Sequence, residues 1–189
     1  NTATDFPNVT TADVYILGGF VVNAEVSGRS FANLYIDENS TLKSSASVNS
    51  PYYLKPYGTT ISVASGSRIG NALTGNSADG ISLDIFSSNL MITGAGTIGF
   101  SRVRTNTASS TVTIDADVTL NYHGSTNAGN AAGFYSAAGD NNTLTINAGK
   151  TLTFAPWSCL MYTSGAHSTA SNLSQTINLY GTMTFVDGD

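Results

Sequence analysis

The sequence predicts an all-β chain coiled in parallel into a β-solenoid of about seven rungs, one domain over residues 1–189. Three observations carry this. First, the composition is poor in charge and in helix formers: 7 Lys and Arg and 12 Asp and Glu stand against 86 residues of Ser, Thr, Asn and Gly. Second, an apolar triplet recurs: one residue, another two positions on, and a third six positions after that. It starts at Val14, Leu34, Ile61, Leu90, Val112, Leu144 and Ile177. Third, the same kind of turn-forming residue falls inside most of the triplets, five positions after the start.

Taken in order, the units are Val14/Ile16/Val22, Leu34/Ile36/Leu42, Ile61/Val63/Ile69, Leu90/Ile92/Ile98, Val112/Ile114/Leu120, Leu144/Ile146/Leu152 and Ile177/Leu179/Phe185. The two-residue spacing puts each pair on one face of a strand, facing a core. The turn column reads Gly19, Asn39, Gly66, Ala95 (beside Gly96), Asp117, Gly149 and Thr182 (beside Gly181). Gly, Asn and Asp tolerate the left-handed backbone that a sharp bend needs. Two positions later come Val21, Thr41, Arg68, Thr97, Thr119, Thr151 and Thr184, β-branched except for Arg68, as a pleated surface prefers. Each unit is therefore expected to be strand, bend, strand. Phe100, Tyr122 and Phe154 extend the inward series by one step and are expected to stack inside the C-terminal half as core packing.

Successive starts lie 20, 27, 29, 22, 32 and 33 residues apart. A constant motif with variable connections is what a solenoid produces when one side carries the insertions. Most connections hold a further apolar stretch, at Phe31, Tyr52 to Leu54, Ile81 to Ile85, Val103, Phe134 and Leu160 to Tyr162, so rungs of two or three strands are expected. No connection has the charged amphipathic pattern of a helix, which excludes a doubly wound α/β fold. The alternative, an antiparallel β-sandwich, explains the alternation but not the recurring bend column.

The stretches STVTIDADVTLN (110–121) and NTLTINAGKTLTF (142–154) resemble rungs of right-handed parallel β-helix surface proteins, including autotransporter passenger, filamentous adhesin and pectin-lyase-like domains. The resemblance spans residues 12–186 in rung architecture rather than identity. It implies a right-handed parallel β-helix and a cell-surface or extracellular setting; it transfers no catalytic residue, because these families share rungs without sharing an active site.

Charge and composition exclude several classes of partner and fold. A net charge of −5 with seven scattered cations provides no extended basic face for a nucleic acid. There is no run of eighteen apolar residues to insert in a membrane. Recurrent Ile, Val, Leu and aromatic residues argue against disorder. Cys159 is the only cysteine, so no disulfide framework or thiolate cluster is available, and it is expected to be a small core residue. Asn1 in place of Met fits either removal of a leader or excision of a piece. The sequons at Asn8, Asn39, Asn141 and Asn172 are of a kind that an Asn-, Ser- and Thr-rich chain forms by chance, and they leave glycosylation open.

The resemblance includes polysaccharide-degrading enzymes, whose chemistry makes specific demands on the acids. Hydrolysis requires paired carboxylates from adjacent rungs. Here Asp115 and Asp117 flank a bend, while Asp79 and Asp84 fall in a Gly- and Ser-rich arm. The adjacent acidic pair, Gly-His-Gly and Arg-Ile-Lys of similar enzymes are echoed only by Tyr122-His123-Gly124 and Arg68-Ile69-Gly70, incomplete and in the wrong order. A lyase would need clustered carboxylates for Ca²⁺ beside Arg102 and Arg104, and none accompanies them. His123 and His167 are too few for a zinc site, and Gly94-Ala95-Gly96 lacks the lysine and helix of a phosphate loop. The expectation is no catalytic residue, no metal and no cofactor. Tyr52, Tyr53, Tyr57 and Trp157 are the candidate ligand-binding residues, as stacking platforms for sugar rings; Pro51, Pro56 and Pro156 beside them equally fit packed loop anchors.

No helical cap is readable before the first unit or after the last. Open hydrogen-bonding edges recruit further strands, and head-to-tail stacking would satisfy both, giving an open homo-polymer. Seven rungs would make a segment about 34 Å long. The expected function is thus a non-enzymatic, self-associating structural protein of a cell-surface sheath, fibre or adhesive layer. The alternatives are an adhesin that binds glycans and a polysaccharide lyase or hydrolase.

Overall fold

The structure, a computed structural model, describes residues 7–48, 51–72, 78–121, 132–136, 141–156, 158–160 and 175–186. Twenty strands and no helix occur among them. They form three parallel sheets, one for each side of a triangular coil. The first sheet stacks β1 (Val14–Ile16), β4 (Leu34–Ile36), β7 (Thr60–Val63), β10 (Asn89–Gly94), β13 (Thr111–Asp115), β16 (Asn142–Ile146) and β19 (Gln175–Leu179). The second stacks β2 (Val21–Ala24), β5 (Thr41–Ser44), β8 (Arg68–Gly70), β11 (Thr97–Phe100), β14 (Val118–Leu120), β17 (Thr151–Phe154) and β20 (Thr182–Phe185). The third holds β3 (Arg29–Phe31), β6 (Tyr52–Pro56), β9 (Ile81–Ile85), β12 (Val103–Thr105), β15 (Ala132–Ser136) and β18 (Cys159–Leu160). The chain is a parallel β-solenoid with three strands in most rungs, and the apolar stretches in the connections are its third side.

One core runs the length of the coil. Its first-sheet column is Val14, Leu34, Ile61, Ile92, Ile114, Ile146 and Leu179. Its second-sheet column is Val22, Leu42, Ile69, Ile98, Val118, Leu152 and Met183. Leu54, Leu83, Val103 and Phe134 close the triangle from the third sheet. Most of these side chains are fully buried, and each contributes about 1.5–3 kcal/mol relative to leaving it in water.

The register corrects the sequence alignment at four pairings. Ile61 pairs with Ile92 rather than Leu90, Ile98 with Val118 rather than Leu120, Leu152 with Val118 rather than Leu120, and Leu152 with Met183 rather than Phe185. The path from the first column to the second takes eight positions in rungs one to three, six in rungs four and six, and four in rungs five and seven. The bend tightens by steps of two, so the same face always points inward. The aromatic column accordingly runs Phe100, Leu120, Phe154, Phe185, and Tyr122, expected in it, lies outside the described residues.

The bends of rungs one to three and of rung six match the expected chemistry, and the four-position bend of rung five does not. Gly19, Asn39, Gly66 and Gly149 have φ of 82°, 59°, 75° and 73°; Asp117, in a tight bend, has no positive φ. In the first three rungs buried serines stitch the wide bends together. Ser40 Oγ accepts from Gly19 N at 3.1 Å and donates to Leu17 O at 3.0 Å, and Ser67 Oγ accepts from Ser40 N at 3.1 Å. Where the bend first shortens, Gly94 (φ 119°) comes so close to the rung below that a Cβ would sit 2.0 Å from Val63 O. Only glycine fits that approach.

The two ends of the coil differ. In the first rung the inward Val14, Ile16 and Ala24 are buried, and residues 8–9 lie along the edge of β3, where Val9 N donates to Ser30 O at 2.9 Å. In the last rung the inward Ile177, Leu179 and Phe185 are 40%, 52% and 56% exposed. Phe185 stacks on Phe154, with ring centroids 4.9 Å apart.

Candidate functional site

Strand alternation separates the candidate tyrosines. Tyr52 has the inward parity of Leu54 and pairs with the buried Ile81, so it borders the core; Tyr53, on the opposite face, pairs with Ser82. The two cannot form one platform. Tyr57 follows β6, is 39% exposed, and stacks face to face on Phe86 at 5.0 Å. Trp157 lies outside the described residues, as do His123 and His167.

Around Tyr53 the third sheet gathers a cluster that the sequence did not bring together. Tyr53 and Lys55 project outward from β6. Ser82 and Asp84 occupy the next rung on β9, and Arg102 and Arg104 the one after, at and in β12. The guanidinium carbons of Arg102 and Arg104 stand 5.5 and 5.2 Å from the Tyr53 ring centroid, within cation–π range. Lys55 Nζ lies 5.8 Å from the Phe86 ring centroid. Arg104 grips Asp84 with two parallel bonds, Nε to Oδ1 at 2.5 Å and the second from Nη2 to Oδ2. Asp84 is buried in the middle of β9, not in a loose arm. Ser82 is fully buried, and its Oγ has no hydrogen-bond partner. A sequence signal for this cluster did exist: Arg102 and Arg104, like Tyr53 and Lys55, are two residues apart and so share a face.

The remaining acids are held in structural contacts. Asp115 Oδ1 accepts from Asn147 Nδ2 at 2.9 Å, and Oδ2 from Thr93 Oγ1 at 3.2 Å. The Asn147 bond first, then the Thr93 bond and the charge of Lys150, hold its carboxyl below the usual range against an opposing desolvation. Asp117 Oδ1 accepts from Thr151 N at 2.9 Å. Asp79, in a left-handed conformation, pairs with Arg68 at 3.1 Å. Asp115 and Asp117 thus each tie their own rung to a neighbour. Among the described residues no three His, Cys, Asp or Glu side chains converge to hold a metal ion.

Exposed large apolar side chains concentrate elsewhere. Of thirteen among the described residues, six belong to the first rung and its approach (Val9, Tyr15, Leu17, Phe20, Val21, Val26) and five to the last (Ile177, Leu179, Tyr180, Phe185, Val186). No protein-family model, curated protein or solved structure matches the chain.

Proposed function

We propose that the chain is a non-enzymatic structural subunit of an extracellular or cell-surface layer, and that it associates head to tail through its first and last rungs. The observation that carries this reading is the placement of the exposed apolar side chains: eleven of thirteen lie at the two ends of the coil. A patch of that kind on a soluble face marks an association site. The last rung offers open core residues together with the edges of β19 and β20, which among the described residues pair with no further strand. A second copy set on them would continue the Leu179 and Met183 columns into the next coil. A contact between different faces does not close on itself, so it propagates into a fibre or sheath. The uncharged Thr, Ser and Asn on the outer faces suit this role, since stacked rungs place equivalent positions about 5 Å apart, where like charges would repel.

Sedimentation velocity over a wide concentration range tests the reading. The chain should gain mass with concentration, and Leu179→Lys or Phe20→Lys should keep it monomeric. A chain that stays monomeric throughout, or two lysine variants that associate as the parent does, would overturn it.

A further inference from the structure

We propose that the two ends of the coil interlock in one register, in which residues 8–9 of a second copy close the third side of the last rung and the second copy's Tyr15 stacks on Tyr180. This inference rests on the head-to-tail association above and fixes how the two copies meet. Among the described residues the third sheet ends at β18, one level short of β19 and β20. At the other end of the coil the same side runs one level further. Val9 N donates to Ser30 O at 2.9 Å, and Ser30 N donates to Asn8 Oδ1 at 3.1 Å. The first bond has the pattern that Val14 N makes with Asn33 O in the pair Val14–Leu34, so it puts Val9 in register with the buried Phe31 and gives it inward parity. Its side chain is nonetheless half exposed, since among the described residues no strand lies beneath it. The two ends are thus stepped in opposite senses. Coaxial stacking seats the extra piece of one copy where the third side of the other stops.

The side-chain columns select the same register. With the second copy's Val14 continuing the Leu179 column, its Asp13 stands over Asn178 and its Tyr15 over Tyr180. Both contacts already occur inside the chain. Asn33 Nδ2 donates to Asp13 Oδ1 at 2.8 Å, and Tyr15 stacks on Tyr35 with ring centroids 4.8 Å apart. Asn178 lies in the column of Asp13 and Asn33, and Tyr180, whose N donates to Ile146 O at 2.9 Å, lies in that of Tyr15 and Tyr35. Tyr180 and Tyr15 are the most exposed large apolar side chains among the described residues, at 69% and 60%. Stacking one on the other covers both and extends the Tyr15–Tyr35 pair into a ladder of three rings. Residues 175–186 carry no charged side chain, so Asp13 and Glu25 of the first rung meet no like charge there. A slip of two residues would keep the core face inward, but it would set Leu17 over Tyr180 and move Asp13 off Asn178.

Sedimentation velocity of the full chain with paired substitutions tests the register. Tyr180→Glu should weaken association about tenfold, because it removes the stack and sets a carboxylate beside the second copy's Asp13. Adding Tyr15→Lys to it should restore association to within about threefold of the parent, since a lysine then faces a glutamate at every junction. Adding Leu17→Lys instead should restore nothing. Val9→Asp should also weaken association about tenfold, without lowering the melting midpoint of the dilute chain, in which that side chain is half exposed. Absence of rescue by Tyr15→Lys, or rescue by Leu17→Lys, overturns the register. A parent that associates, with Tyr180→Glu and Val9→Asp associating as tightly, overturns the interlock and leaves the association standing. A parent that stays monomeric at every concentration overturns both.

Discussion

Arg104 reaches across one rung of the coil to clasp the buried carboxylate of Asp84 with two parallel hydrogen bonds. The pair ties β9 to β12 on a face where every residue of β9 is buried. Replacing one partner leaves the other charge without compensation. Arg104→Met should cost about 2–4 kcal/mol, less than a fully buried pair would because the arginine is part-exposed. Asp84→Asn combined with Arg104→Met should recover most of that loss. Urea unfolding of the two single variants and the double variant measures the coupling.

Gly94 is the position where the bend first shortens. A Cβ there would meet Val63 O at 2.0 Å, a backbone atom that cannot move aside alone. Gly94→Ala should destabilise by about 2–4 kcal/mol, although alanine ordinarily stabilises strands and helices relative to glycine. Gly149 offers the control: its φ is also positive, but nothing lies within 4 Å of an added Cβ. Gly149→Ala should therefore cost only about 1 kcal/mol. Thermal melts of both would reveal equal losses if close approach were not the constraint.

Ser40 is fully buried and takes part in three bonds that use a serine hydroxyl, linking it to the rungs on either side. Ser40→Ala keeps the acceptance of Ser40 N by Ser67 Oγ but leaves Gly19 N without its Ser40 Oγ partner. A loss of about 1–2 kcal/mol is expected in chemical unfolding. Hydrogen exchange should accelerate first at Gly19 and its neighbours in the first bend.

Asp115 links stability to pH. Its carboxyl is held below the ordinary value in the folded chain, so the stability it contributes is present above the unfolded carboxylate pKa and is lost as pH falls through the lower folded value. Acidification below about pH 4 should lower the melting midpoint of the parent. Asp115→Asn should show a shallower decline over the same acidic range. Parallel curves for the two proteins would remove Asp115 from the acid response.

The strands and the inward face were legible in the sequence because burial on one face imposes a two-residue period. The register was only partly so, for the same reason. A slip of one residue would turn Ile92 out of the core, whereas a slip of two exchanges Leu90 for Ile92 and leaves the pattern intact. The shortened bends at rungs four to seven are slips of this silent kind, and only the pairing of Ile61 with Ile92 exposes the first of them. Tyr53 was legible as an outward aromatic, but its neighbours were not. Ser82 and Arg102 are 29 and 49 residues away from it in sequence and meet it only because the connections have the lengths that bring β6, β9 and β12 side by side.

Head-to-tail association requires the last rung to receive another copy. Electron microscopy of concentrated protein, with Leu179→Lys alongside, gives the clearest answer. Unbranched fibres built from the parent and absent from the variant are the predicted result, with the ~4.8 Å strand spacing running along the fibre axis. Dispersed single particles from the parent at every concentration would contradict it.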